Sequence, residues 1–138
     1  MTNHDQYHFL DQDIKDMSWG NVDSDWTPPQ NFPDLSQYET VSIDLETKDS
    51  NLLTLGPGWT RKDGYVIGVA VAAGDSSWYF PIAHQSGNMS KNIVFKWLQK
   101  LCDDEKITKV FHNALYDLGW LRAEGIEVKG KIVETMIA

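Results

Sequence analysis

Two stretches carry residue types whose spacing suits chemistry. In VSIDLETKD, Asp44 and Glu46 stand two residues apart at the end of an apolar run. If that run is a strand, alternation puts both acids on one face and Leu45 on the other. Carboxylates this close repel each other, more so when buried, and a cation between them removes the cost. Hard oxygen ligands with room for water suit Mg²⁺ or Mn²⁺. The plainer reading is a pair of solvated acids at a strand end. In FHNALYDLGWL, Asn113 and Asp117 are four apart and share a helix face, with Trp120 roughly on the same side. Here the plainer reading makes Asn113 the helix cap and Asp117 a first-turn partner of the helix dipole.

The elements that must position these groups follow from periodicity. TVSID is predicted as the first strand, with Val41 and Ile43 opposite Ser42 and Asp44. NLLTLGPGWTRKDG reads as a long Gly/Pro loop. YVIGVAVAA reads as a strand covered on both faces. Gly74-Asp75 is a hairpin turn, and SSWYFPIA returns antiparallel. Asn88 or Ser90 caps a helix whose apolar residues are Ile93, Val94, Trp97, Leu98 and Leu101. ITKVF is a short strand, NALYDLGWLRAE a helix stopped at Gly125, and KIVE a last strand; TMIA opens a further element. A hairpin followed by two crossovers gives an α/β fold, a mixed sheet of about five strands flanked by helices. In a sheet of this order the strand before the second helix can sit beside the first strand, and the helix would then aim Asp117 at the Asp44/Glu46 pair.

Composition bounds the rest. At 138 residues, 41% hydrophobic and 12% aromatic, the chain suits one globular domain with a real core. No apolar run approaches the roughly 20 residues of a membrane helix. The N-terminus lacks a basic region followed by an apolar one, so no signal peptide is expected. The single cysteine, Cys102, suits a reducing compartment. The net charge of −8 is concentrated in residues 1–39, which hold eight acids and one lysine. Without a basic stripe, contact with nucleic acid is expected to be short or bridged by cations. Residues 1–37 read as an acidic, Pro- and Trp-containing leader, with Trp19, Trp26 and Phe32 packing across the domain like a strap; residues 38–138 read as the domain proper.

The motifs together resemble the proofreading 3′–5′ exonuclease domain of family A DNA polymerases, bacteriophage ones in particular, within the DEDD exonuclease superfamily of RNase H-like fold. SIDLET resembles that family's first motif, Asp-x-Glu-Thr, and HNALYDLGWL its second, His-Asn-x-x-x-Asp. GPGWTRKDGYVIGVAVA and WYFPIAH also read like the phage members, and the likeness covers roughly residues 26–138. The resemblance implies that Asp44, Glu46 and Asp117 are catalytic and bind two divalent cations, Mg²⁺ or Mn²⁺, which activate water and clamp the scissile phosphate. It implies that Leu45, through its backbone, Thr47 and Asn113 contact substrate. The implied partners are a single-stranded DNA 3′ end and the rest of a DNA polymerase chain, with no membrane, in the cytoplasm of a bacterial or phage-infected cell. His112 reads as a packed strand-end histidine. His84 matches a recurrent family position and reads as structural, or at most as flanking the substrate. Trp59 reads as a loop anchor.

The family's third motif, Tyr-x-x-x-Asp or His-x-x-x-Asp, does not occur between the second motif and Ala138. Tyr7 and Asp11 have its spacing but precede the first motif. Glu134 stands where relatives often carry Asp. The domain is therefore expected to be C-terminally incomplete, and this fragment alone to have little exonuclease activity. The alternatives are a non-catalytic scaffold or interaction module derived from such a domain, and an RNA 3′–5′ exonuclease.

Overall fold

The computed structural model describes residues 26–136. Trp19, the Tyr7/Asp11 pair and the last two residues of TMIA lie outside them. Five strands form one sheet: β1 (Thr40–Lys48), β2 (Tyr65–Ala73), β3 (Ser76–Pro81), β4 (Thr108–Phe111) and β5 (Ile132–Glu134). Their order is β3-β2-β1-β4-β5. β1, β2 and β3 pair antiparallel, whereas β4 pairs parallel with β1 and β5 parallel with β4. The helices are a single turn, α1 (Leu52–Leu55), then α2 (Lys91–Asp103) and α3 (Ala114–Ala123). The long loop expected between β1 and β2 is thus partly helical, with α1 and a 3-10 turn at Gly58–Thr60 inside it.

Alternation sets the faces. Val41, Ile43 and Leu45 of β1 point into the core, while Ser42, Asp44 and Glu46 face out. On β2, Val69, Val71 and Ala73 join that core. The opposite face of β2, expected to be covered too, carries the exposed Tyr65 and then Gly68, Ala70 and Ala72, and the two alanines are half-buried. They line an open groove with Ser42, Asp44, Ser77 and Tyr79, edged by Trp26 and Trp78. Small side chains leave that face shallow, so the apolar run encodes one packed face rather than two.

Both longer helices bury apolar residues in the same cluster as the sheet: Val94, Leu98, Leu101 and Cys102 from α2, and Ala114, Trp120 and Leu121 from α3. The α2 stripe runs through 94, 98, 101 and 102, which leaves Ile93 58% exposed beside it. Ser90 holds the α2 cap position, but neither it nor Asn88 donates or accepts a capping bond there. Asn88 instead clamps the backbone of His84: it accepts the His84 N–H at 2.7 Å and donates to the His84 carbonyl at 2.7 Å. Gly125 follows α3 with φ +80°, the left-handed stop expected of it.

The segment before β1 packs on the domain. Phe32 stacks on Phe80 and Trp97 at 5.2 and 5.3 Å, Trp97 donates its indole N–H to the Pro33 carbonyl at 3.1 Å, and Leu35 is buried. Trp26 lies 6.1 Å from Tyr79. Lys109, on β4, is fully buried; its ammonium donates to the carbonyls of Asp104 and Lys129, satisfying the end of α2 and the approach to β5.

Candidate active site

Asp44 and Asp117 come together because β4 runs parallel beside β1 and leads directly into α3. The pair lines a cavity of about 410 Å³ with Leu45, Leu52, Pro57, His112, Asn113, Leu115 and Tyr116. Asp117, in the first turn of α3, is buried; Asp44 faces outward from β1. Burial and the Asp44 charge push the Asp117 carboxyl up to about 7, while the Leu45 amide pulls it down. Burial and the Glu46 charge raise Asp44 as well, against His112 and the Leu45 amide. Two carboxyls that resist ionisation at one cavity wall form a site that a cation would stabilise.

Glu46 makes contacts of its own. Tyr79, reaching across from β3, donates its hydroxyl to Glu46 Oε2 at 2.5 Å, and His84 Nε2 lies 3.7 Å from the same oxygen. Among the described residues no three His, Cys, Asp or Glu side chains stand together as a metal site. The expected trio is therefore seen as a pair, Asp44 and Asp117, with Glu46 adjacent on the same strand face. All-oxygen carboxylate donors with an open cavity fit a hard divalent cation, with Glu46 beside the pair.

The remaining expected residues separate by role. Asn113 occupies the α3 cap position, yet its side chain makes no capping bond and lines the cavity. The Leu45 amide draws the carboxyls of both aspartates downward against burial. Thr47 Oγ1 lies 2.8 Å from Tyr116 Oη, which donates to Asp49 Oδ2 at 2.9 Å. Tyr116 has one hydrogen to give, so Thr47 donates to it and keeps only acceptor capacity for a ligand. His112 is exposed, with Nδ1 3.2 Å from Thr135 Oγ1, rather than packed; the strand ends before it and the chain turns out.

The loop between β1 and β2 is pinned over the site. Asp49 Oδ2 also accepts the Gly58 N–H at 2.9 Å. Trp59 lies against α3 at Gly119, where a Cβ would overlap the indole ring. That is the anchoring expected of Trp59. Tyr79, Tyr116 and Asp49 were not expected at the site. For Tyr79 a signal exists: Gly68 lies inside a strand pattern, and such a glycine marks close approach by another group. A Cβ on Gly68 would overlap Tyr79 Oη.

A mixed five-stranded sheet with strand-end carboxylates facing a helix aspartate places the chain in the RNase H-like exonuclease class. Among solved structures it is similar to Brucella melitensis NrnC bound to pGG, at 28% identity and TM-score 0.51, over 77% of this chain and 46% of that one. It also shares the fold of Trypanosoma brucei RNase D in complex with RNA U12, at 16% identity and TM-score 0.58, over 72% of this chain and 31% of that one. The family model described as 3′–5′ exonuclease matches residues 22–138, and the chain belongs to this family, the exonuclease domain of family A DNA polymerases. It is 35% identical over 111 residues to a DNA-directed DNA polymerase of Pseudomonas phage M6 and 26% identical over 102 residues to DNA polymerase I of Synechocystis sp.. These matches take in 77% and 73% of this chain but only 17% and 9% of those polymerases.

Proposed function

We propose that the chain acts at a DNA 3′ end, with Asp44, Glu46 and Asp117 holding two divalent cations, Mg²⁺ or Mn²⁺. The observation that carries this is the Asp44–Asp117 pair, both raised in pKa, at the wall of one cavity. When bound, such cations would make water easier to deprotonate and neutralise charge on the phosphate. The protein's own residues do the rest. Asp117, fixed by the first turn of α3, and Asp44, at the β1 edge of the cavity, set the position of the cation-binding pocket. Asn113 offers a free amide to the substrate backbone, the Leu45 peptide lies beside both aspartates, and Thr47 offers an acceptor held in place by Tyr116. The phage and cyanobacterial relatives support a polymerase chain as the partner, and a bacterial cytoplasm as the setting; no described helix is long and apolar enough to cross a membrane.

Thermal melts with and without Mn²⁺ test the cation site. Mn²⁺ is expected to raise the Tm of wild type and to leave Asp44→Ala unmoved, while that variant's metal-free Tm is unchanged or higher because repulsion is relieved. No Mn²⁺ effect on wild type would favour the non-catalytic module instead. RNA is the second substrate reading, motivated by the NrnC likeness. Binding of matched deoxy- and ribo-oligonucleotides in Mn²⁺ separates the two; a clear preference for the ribo strand would replace the DNA reading.

A further inference from the structure

The contacts on Glu46 form an ordered chain. Tyr79 Oη donates to Glu46 Oε2 at 2.5 Å and lies 2.6 Å from His84 Nε2. A phenol has one hydrogen. With it spent on the carboxylate, the second short contact requires the hydrogen on His84 Nε2. The order is His84 Nε2–H to Tyr79 Oη, and Tyr79 Oη–H to Glu46 Oε2.

Several independent features hold this chain in place. β1 pairs Glu46 with Gly68 but Thr47 with Val66, so Ile67 is the extra residue of a bulge. Its carbonyl accepts the amides of both Ile82 and Ala83, at 2.9 and 3.1 Å, which fixes the chain entering His84. Asn88 then clamps His84 through both backbone groups. Gly68 is the seat for the Tyr79 hydroxyl, since any Cβ there would displace it. Without these contacts Glu46, whose side chain is 56% exposed, would sample many rotamers.

We propose that Tyr79 and His84 are positioning residues for Glu46: they fix Oε2 and leave Oε1 to join Asp44 and Asp117 on a divalent cation. The proposal rests on reading those three acids as the cation site. Hydrogen bonds behind a ligating carboxylate typically change metal affinity by about 10–100-fold when removed.

Mn²⁺ titrations of the full chain, followed by electron paramagnetic resonance at one pH, test it. Tyr79→Phe keeps the ring and removes the donor; it is expected to weaken Mn²⁺ binding by about tenfold or more with a metal-free Tm close to wild type. His84→Ala should also weaken binding, and His84→Gln, which keeps an N–H donor, should restore it. Nitrogen NMR of the metal-free wild type should find the proton of neutral His84 on Nε2. Mn²⁺ binding by Tyr79→Phe equal to or tighter than wild type would overturn the role, as would a His84 proton on Nδ1. If Asp44→Ala binds Mn²⁺ as well as wild type does, the cation-site reading itself fails, and this role with it. If Asp44→Ala loses binding while Tyr79→Phe keeps it, only the positioning role fails.

Discussion

Asp117 is the group on which pH acts most directly. Its carboxyl is raised from an ordinary 3.8 to about 7, first by burial and then by Asp44. A carboxyl raised in this way holds its proton more tightly in the folded chain than in the unfolded one. The stability it contributes is fully present below about pH 3.8 and is lost as pH rises through about 7. Asp44, shifted in the same direction, adds to the trend. In chelator-treated protein, melts of wild type and Asp117→Asn across pH 4–8 should therefore diverge. The variant should gain on wild type as pH rises, and should be the more stable at pH 8. A gap that stays constant across that range would contradict the assignment. The same shift means that Mn²⁺ must displace a proton at neutral pH, so its affinity should climb between pH 6 and 8.

At the scale of elements, the site depends on two crossings between segments remote in sequence. One is the parallel pairing of β1 with β4, which delivers α3 to the carboxylate end of β1. It was legible, because a hairpin followed by right-handed crossovers leaves few places for the fourth strand. The helix stop at Gly125 and the burial of Val94, Leu98 and Leu101 were legible from local spacing as well. Ile93 was not, since a helical stripe is about 100° wide and its edge is decided by neighbours. The latch on Glu46 was not, because Tyr79 reaches it from two strands away and no local spacing joins residues 46, 68, 79 and 84. Asn88 reads as a cap by type and serves instead as a loop clamp, a choice made by tertiary contacts. The second crossing is the loop over α3, anchored by Trp59 on Gly119. Gly119→Ala should place a methyl group against the indole and cost about 1–3 kcal/mol in urea unfolding, with the loop at 56–60 loosened. Unchanged stability would show that the contact yields without cost.

For the whole molecule, one apolar cluster carries the fold, and the segment before β1 is part of it. Phe32 stacks on both Phe80 and Trp97, which themselves meet at 4.9 Å, so it adds to the contact between the sheet edge and a helix. Phe32→Ala should lower stability by up to about 3 kcal/mol, somewhat less than a fully enclosed phenylalanine because Phe32 is only partly buried. Denaturant unfolding checks this, and a change below a few tenths of a kcal/mol would remove the segment from the core. The net charge of −8 gives a polyanionic substrate little general attraction. On the proposed function, recognition would be local, at the cavity lined by Asp44, Asn113 and Asp117. The most direct measurement is anomalous diffraction from crystals soaked in Mn²⁺. The account predicts a peak within bonding distance of carboxylate oxygens of both Asp44 and Asp117, with Glu46 Oε1 sharing it. A map with no peak there, or with Mn²⁺ bound by other side chains, would contradict it.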